Sequence, residues 1–510
     1  MNETPSQRRR ATAHRTDGGR VPFGERDLVV VSNRQPYSHA DSGDGLEVDR
    51  PTGGLTAGLD PVMQATGGTW IAWGDGDADR RVVDGADRVS VPPDDPSYVL
   101  RRVWLSDDQV EDYYYGFSNR VLWPVCHGTL GTVSAGADHW AAYERTNRQF
   151  ASVVASEASD RSTVWFHDYH LALAPAMARR TLGGEPTFMQ FWHVPWPGWD
   201  TFRACPHREA LLRGLLANDV LGVHVPRYRY NFFECVDACL EDAAVDHDQA
   251  EVTYRGSVTR VVASPMGVPY DDIRRQAATV TESDLADVRR EYGVSSDTAL
   301  AVGVDRLDYT KGIVERIRGL ERFWERNPTW RESLTFVQNS SESRSRIDAY
   351  ARTQEGVADA VERVNDRFGT DDWQPIVFFT DTLDQERLYG LYRHADVALV
   401  TPIRDGLNLV AMEYVAAQVD GDGALLLSDQ SGAHDLLGEF AYSISPFDAP
   451  GIADQLAAAL TAPAAERTAR MTRLRQSVAG VDLRTWLQQH ADLTARADTS
   501  GFRQSGHEQV

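Results

Sequence analysis

Lysine is almost missing from this chain: of 52 lysines and arginines in 510 residues, Lys311 is the only lysine. Basic charge as a whole is scarce too, because 75 Asp and Glu leave a formal net charge of -23. Such acidity argues against a nucleic-acid partner, since binding a phosphate backbone needs a basic footprint. It fits a cytosol of high salt, where carboxylates keep the surface hydrated and their repulsion is screened within about 3 Å at 1 M salt. A GC-rich genome favouring arginine codons produces the same bias. Long apolar runs are absent as well. No stretch of eighteen apolar residues occurs, so no membrane span is expected. Residues 1–20 include Arg8, Arg9 and Arg10 but lack the apolar segment of a secretory signal, which points to a cytoplasmic protein. The four cysteines, Cys126, Cys205, Cys235 and Cys239, are too few for a disulfide framework. Cys235 and Cys239 lie on one side of an expected helix, but no second ligand pair stands nearby to complete a zinc site. No G-x-G-x-x-G turn follows the first apolar run, where Arg34-Gln-Pro stands instead, and this excludes a dinucleotide oxidoreductase.

What is present is an alternation. Apolar, strand-like runs at 27–33, 163–166, 187–192, 220–224 and 260–264 are separated by helix-period segments such as 140–155 and 228–240. A second series follows at 299–304, 334–338, 375–380, 397–401 and 424–428. Strands alternating with helices make parallel sheets covered on both faces. The pattern occurs twice, which predicts an α/β protein of two doubly wound, Rossmann-like domains facing across a ligand cleft. The expected division is a disordered tail at 1–26, a first domain at 27–268, a second at 269–490 including C-terminal helices, and a tail at 491–510. The Asp- and Pro-rich stretch 83–102 reads as an excursion from the first sheet. Ser106 and Gln109 form a capping box that opens the helix carrying Tyr113, Tyr114 and Tyr115.

Lys311 is the first candidate for chemistry, because a compact ammonium can sit beside a phosphate where a planar guanidinium cannot. It lies in DRLDYTKG at 305–312, after a strand and before a helix, where open α/β sheets bind ligands. Arg306 on the same loop makes a cation pair suited to a diphosphate. A second constellation, RDGLNLVAME at 404–413, also joins a strand to a helix. A helix start near Gly406 would offer free N–H groups to an anion. Asp405 is placed for sugar hydroxyls, and Glu413, two turns into that helix, for a ribose. In the first half, Gly53 and Gly54 follow a polar loop at 35–50 and permit close backbone approach. Arg34 ends the first strand, Trp73, Tyr114 and Trp123 are aromatics near loops, and Arg344 follows another strand. His167, Asp168, His170 and His193 end two further buried strands. They are weighed as a metal set and set aside, because hydroxyl-binding groups beside phosphate cations need no metal.

Taken together, VVVSNR at 29–34, YYYGFSNRVLWP at 113–124, HDYH at 167–170, HVPWP at 193–197, DRLDYTKG at 305–312, SRSRIDAY at 343–350 and RDGLNLVAMEYVAAQ at 404–418 resemble the trehalose-6-phosphate synthase family, retaining glucosyltransferases of the GT-B fold. The likeness runs from about residue 27 to 489. It implies that Arg34, Tyr114, Trp123 and Arg344 hold a glucose 6-phosphate acceptor, with Trp73 nearby and Asp168 on its hydroxyls. It implies that Arg306 and Lys311 grip the donor diphosphate, with Gly54 closing over it. Asp405 and His193 would bind the transferred glucose, Asn408, Leu409 and Val410 would line the donor side, and Glu413 would hold the ribose. The implied partners are a nucleotide-sugar donor and a sugar-phosphate acceptor, with no metal and no cofactor. Self-association is left open. Met412 stands where relatives often have Lys, and the stretch 41–49 lengthens the loop before Gly53. Two rivals are a glucosylglycerol-phosphate synthase using glycerol 3-phosphate and a non-catalytic sugar-phosphate sensor. The first is disfavoured by the aromatic walls of the acceptor set, the second because no cation or carboxylate of the pattern is lost.

Overall fold

The computed structural model describes residues 22–23, 27–43, 45–50, 54–182, 184–291, 293–295 and 298–499. Among these residues the strands form a ten-stranded sheet, a six-stranded sheet and a two-stranded hairpin. Across the first sheet the order is Ala243–Asp246, Glu251–Tyr254, Ser257–Ala263, Val220–Val223, Thr187–Trp192, Ser162–His167, Asp27–Ser32, Thr69–Trp73, Tyr98–Val103 and Arg88–Val91. From Ser257–Ala263 to Tyr98–Val103 the strands run parallel, and antiparallel strands close both edges. Ser162–His167 and Thr187–Trp192 are buried at every residue, as their largely apolar and aromatic runs require of strands covered on both faces. The second sheet is wholly parallel, ordered Ile376–Phe379, Leu334–Ser341, Ala299–Arg306, Val397–Val400, Ala424–Ser428 and Tyr442–Ile444.

Each sheet has a point where the winding reverses. In the first it lies between Asp27–Ser32 and Ser162–His167, in the second between Ala299–Arg306 and Val397–Val400. Side chains leaving the carboxyl ends of these strands therefore diverge around a crevice, the place where doubly wound sheets hold ligands.

Three apolar cores stabilise the arrangement. One, with Phe117, Tyr143, Phe166 and Trp196, belongs to the first sheet, and one, with Leu320, Trp324, Val364 and Leu426, to the second. The third runs from Trp70, Trp165 and Phe191 through Met266 and Trp486 to Met412 and Leu425, so both sheets share it.

Several local expectations change. The stretch expected as an excursion supplies the edge strand Arg88–Val91 and most of its neighbour Tyr98–Val103, because Val91, Tyr98, Leu100 and Val103 bury their side chains. Within the loop expected at 35–50, Ser38–Asp41 and Leu46–Asp49 pair as an antiparallel hairpin, so the residues that lengthen this segment fold on themselves. The C-terminal helix Leu483–Thr499, assigned by sequence partly to the second domain and partly to a tail, returns to the first sheet. Trp486 packs on Trp165 and Phe191, and Ser264 Oγ donates to Gln489 Oε1 at 2.8 Å. The cause is its row of apolar side chains, Leu483, Trp486, Leu487 and Ala491, which finds cover there. Phe23, inside the expected N-terminal tail, is buried against Trp165 at 5.4 Å. The rest of both expected tails, apart from Pro22 and the helix to Thr499, lies outside the described residues, as does Gly53. The capping box forms as expected, Gln109 N donating to Ser106 Oγ and Ser106 N to Gln109 Oε1. It opens a turn that continues as a π-helix, Val110–Leu122.

Candidate active site

On the second sheet, the loop after Ala299–Arg306 is shaped by Asp308. Its Oδ1 accepts from the N–H and the hydroxyl of Thr310, capping the short turn Tyr309–Lys311. Gly312 follows at φ 63, and a Cβ there would meet the Thr401 carbonyl at 2.1 Å, so only glycine fits. Ile403 N donates to Thr310 O, which straps this loop to the one carrying Asp405. The result is a contact between two sequence candidates: Lys311 Nζ lies 2.5 Å from Asp405 Oδ2, with both side chains about 15% exposed. Burial pushes the Asp405 carboxyl up, but Lys311 outweighs it and holds the group below its usual range. Arg306 lies at the strand end, half exposed, 5.8 Å from the Trp123 ring centre.

Facing these, the first sheet and the π-helix bring Arg34, Trp73, Tyr114 and Trp123 together, and Arg344 joins them from the second sheet. Arg34 Nη2 donates to Tyr114 Oη at 2.8 Å, and Arg344 Nε approaches the same oxygen at 3.4 Å. Burial pushes the Tyr114 phenol up, but Arg344 and Arg34 reverse this and bring it down to about 8. Two guanidiniums converging on one buried oxygen repel one another, and a dianion between them relieves that repulsion. Trp73 stands 5.8 Å from the Tyr114 ring, and Arg344 lies 4.3 Å over Trp123. Arg344, at φ 46, is further fixed by Tyr350 Oη at 2.6 Å and Tyr169 Oη at 3.3 Å.

Between the two cation groups sit Asp168 and His193. Asp168 takes the strained conformation φ 69, held by its N–H to Phe191 O at 2.7 Å, while its Oδ1 accepts from His193 N at 3.3 Å. Burial pushes its carboxyl up to about 7. His193 is kept neutral by burial, and its Nε2 lies 3.1 Å from Nδ1 of His167. His170, weighed with them as a metal ligand, instead stacks between Tyr169 and Tyr114.

The donor-side candidates gather at one helix start. The helix expected near Gly406 begins at Leu409, because Gly406 is pressed against the first sheet: a Cβ there would lie 2.0 Å from the His193 carbonyl. Asn408 turns the chain at φ 78 and donates to Asp405 Oδ2 at 3.1 Å. Leu409 and Val410 then occupy the first turn, where backbone N–H groups lack helical partners. Across the cleft Gly54 abuts the Leu409 side chain, whose methyl would have to give way to a Cβ there. Glu413 lies one turn further in, its carboxyl pushed up to about 7 by burial. Met412 is wholly buried in the shared core, on a different side of the helix from Glu413.

Sequence reading passed over Asp308 and Tyr350, and weighed His167 only as a metal ligand. Fully buried, Asp308 lies 3.8 Å from Arg306 and 3.9 Å from Arg344, so one carboxylate serves cations of both groups. All three fall inside or beside quoted motifs, and only side-chain direction, invisible in spacing, separates them from their neighbours. A cavity of about 710 Å³ opens at the opposite, amino-terminal end of the first sheet. Its Arg179 and Arg260 are paired with Asp219 and Glu251, and none of the sequence candidates lines it.

Residues 26–495 match Glycosyltransferase family 20. A trehalose-6-phosphate synthase of Mycolicibacterium vanbaalenii is 34% identical over 486 residues, covering 94% of this chain and 98% of its own. Among solved structures, the Escherichia coli trehalose-6-phosphate enzyme bound with UDP-2-fluoro glucose is 30% identical. It matches with a TM-score of 0.81 over 92% of this chain and 99% of its own. An α,α-trehalose-phosphate synthase (UDP-forming) from Burkholderia xenovorans in complex with glucose-6-phosphate is 29% identical, with a TM-score of 0.81 over the same shares. The fold, the paired cations of the cleft and these likenesses agree, and the chain belongs to glycosyltransferase family 20.

Proposed function

We propose that this enzyme transfers glucose from UDP-glucose to glucose 6-phosphate with retention, giving α,α-trehalose 6-phosphate. The observation that carries the reading is the pairing of cations on opposite sides of one cleft. Arg34 and Arg344 converge on Tyr114, Arg306 and Lys311 project from the second sheet, and Asp168, His193 and Asp405 lie between. One pair suits a phosphate monoester and the other a diphosphate. In this reading Arg34, Tyr114, Trp123 and Arg344 hold the acceptor, Trp73 walls it, and Asp168 takes its hydroxyls. Asp405 and His193 orient the transferred glucose. Gly54, Asn408, Leu409 and Val410 border the donor phosphates, and Glu413 accepts the ribose hydroxyls. The relatives whose names state a donor or acceptor support UDP-glucose and glucose 6-phosphate.

Retention here needs no covalent sugar–enzyme intermediate. Asp405 is committed to Lys311, and Asp168 sits by the acceptor, so neither is free to act as a nucleophile in the way a retaining hydrolase uses its carboxylate. The leaving phosphate oxygen takes the proton of the attacking hydroxyl on the same face. The chain's task is to stabilise negative charge growing on the diphosphate, which Arg306, Lys311 and the amides of Leu409 and Val410 are placed to do. We also read the protein as cytoplasmic and as making a compatible solute in a high-salt interior. Four free cysteines and the acid excess support this, and among the described residues no helix is long and apolar enough to cross a membrane.

The test is product formation in molar KCl from UDP-glucose with glucose 6-phosphate, and in parallel with glycerol 3-phosphate. Trehalose 6-phosphate and UDP are expected from the first mixture only. Product from the second alone would overturn the acceptor assignment, and no product with any nucleotide-glucose would overturn the reading.

A further inference from the structure

Beneath the cleft lies a group of buried imidazoles whose hydrogen bonds determine where their protons sit. Nδ1 of His490, on the C-terminal helix, is 2.8 Å from the Trp486 carbonyl, which can only accept, so His490 carries its proton on Nδ1. His224 Nδ1 accepts from Met266 N at 3.3 Å, so its proton is on Nε2, the nitrogen left to bond the His193 backbone. His167 and His193 are joined ring to ring, Nδ1 to Nε2 at 3.1 Å. Burial keeps both rings neutral, so one N–H must serve this contact.

The other side of the His167 ring decides which. Among the described residues its Nε2 is buried with no hydrogen-bond partner, in surroundings where Trp165 stands 4.7 Å away and Trp486 and His490 close over Trp165 from the C-terminal helix. A proton on Nε2 would be a donor with nothing to donate to, at the cost of an unmade bond, whereas a proton on Nδ1 has His193 Nε2 as its acceptor. His193 Nε2 then carries no proton and Nδ1 does. That nitrogen has no protein partner among the described residues, and it belongs to a ring that is half-buried at the cleft.

We propose that His167 is a positioning residue that fixes His193 as the Nδ1–H tautomer, making it a hydrogen-bond donor to an oxygen of the transferred hexose. The tautomer is a property of the free protein; the consequence for transfer rests on the function proposed above. The C-terminal helix takes part by packing Trp486 and His490 over Trp165, the ring beside His167, which ties the end of the chain to the geometry of the cleft.

The tautomer is read directly from long-range ¹H–¹⁵N spectra of histidine-labelled protein, with His193 signals assigned by their loss in His193→Gln. The expected pattern is a protonated Nδ1 and a bare Nε2 on His193; the reverse pattern overturns the proposal whatever the enzyme does. Kinetics supply the second arm. His167→Asn keeps an N–H near the position of Nδ1 and should hold kcat within a few-fold of the parent. His167→Phe keeps the ring and removes the donor, and should lower kcat by about 10- to 100-fold with the acceptor KM unchanged. Full activity in His167→Phe would sink the positioning role. If His167→Phe fails to fold, the spectra of the parent protein still decide. If the parent transfers no hexose, the functional reading fails while the tautomer assignment is judged separately.

Discussion

Replacing Lys311 by Met removes the cation from a pair whose geometry sets two separate quantities. The first is stability. Asp405 is mostly buried, with Lys311 Nζ at 2.5 Å and Asn408 as its other side-chain partner. Breaking a buried ion pair from one side costs about 3–5 kcal/mol, because the remaining charge is stranded. At roughly 2–4 °C per kcal/mol for domains of this size, the thermal midpoint should fall by about 6–20 °C. The pH dependence should also change sign. In the parent, Asp405 lies below its unfolded value, so its contribution is present above that value and is lost as pH falls through the lower, folded one. Without Lys311, burial dominates, the folded value rises, and stability is lost as pH rises instead. Adding Asp405→Asn to Lys311→Met removes the stranded charge and should restore most of the midpoint. The second quantity is turnover. Loss of a cation that meets the developing diphosphate charge should lower kcat by about 10²–10³-fold, and the double variant should recover none of it. Scanning calorimetry from pH 3 to 8 with a coupled UDP-release assay reads both. Lys311→Arg is the sharpest check, since arginine serves everywhere else in this chain. It should keep much of the stability yet lose turnover, because a planar fork does not occupy the place of a point charge. Parent-like kcat in Lys311→Arg would refute the argument that this lysine is retained for its shape.

Four further outcomes are expected. Arg344→Gln should raise the KM for glucose 6-phosphate sharply and leave that for UDP-glucose little changed. It should also abolish a tyrosinate absorbance step at pH about 8 assigned to Tyr114, and an unaltered acceptor KM would refute the assignment. Asp168 and Glu413 are both raised to about 7 by burial, so the stability linked to each is full at low pH and is lost as pH rises through 7. Asp168→Asn should therefore gain thermal stability over the parent between pH 5 and 8, and a constant difference across that range would contradict it. Gly406→Ala, whose Cβ would fall 2.0 Å from the His193 carbonyl, should push the two sides of the cleft apart and lower kcat/KM by on the order of 10²-fold while leaving secondary structure intact by circular dichroism. Trp486→Ala, which empties a fully buried site against Trp165 and Phe191, should cost about 3–5 kcal/mol in denaturant unfolding.

The strands and the loops at their carboxyl ends were legible in the sequence because burial on both faces leaves a run that periodicity can see, as in TFMQFW at Thr187–Trp192. Lys311, Arg306, Asp405 and Arg344 were legible because charged residues directly after such runs have one place to go. Three things were not. Arg88–Val91 exposes two of its four residues at the sheet edge, so its pattern resembles a loop. The helix start moved from Gly406 to Leu409 because Gly406 is taken up by contact with the other sheet, and a contact between halves has no local signature. Leu483–Thr499 reads as an ordinary amphipathic helix, and nothing in its spacing says which of two sheets it will cover.

That last ambiguity bears on how the cleft works. The core shared by the two sheets runs through Met266 and Trp486, so the segment that crosses between them and the helix that returns are packed together. Leu483 N donates to Val268 O, and a Cβ on Gly267 would meet the Val481 carbonyl at 1.9 Å, so the two crossings touch backbone to backbone. A change in the angle between the sheets must therefore pass through this paired crossing. From there it reaches Trp165 and Phe191, whose rings lie under His167 and His193. The same geometry that lets Gly406 meet the His193 carbonyl from above lets the C-terminal helix bear on the His193 ring from below. A shift at the crossing is therefore expected to reach that histidine. Gly267→Ala, which would wedge the crossing apart, should depress turnover although it replaces no residue that faces substrate. A parent-like rate would refute that link.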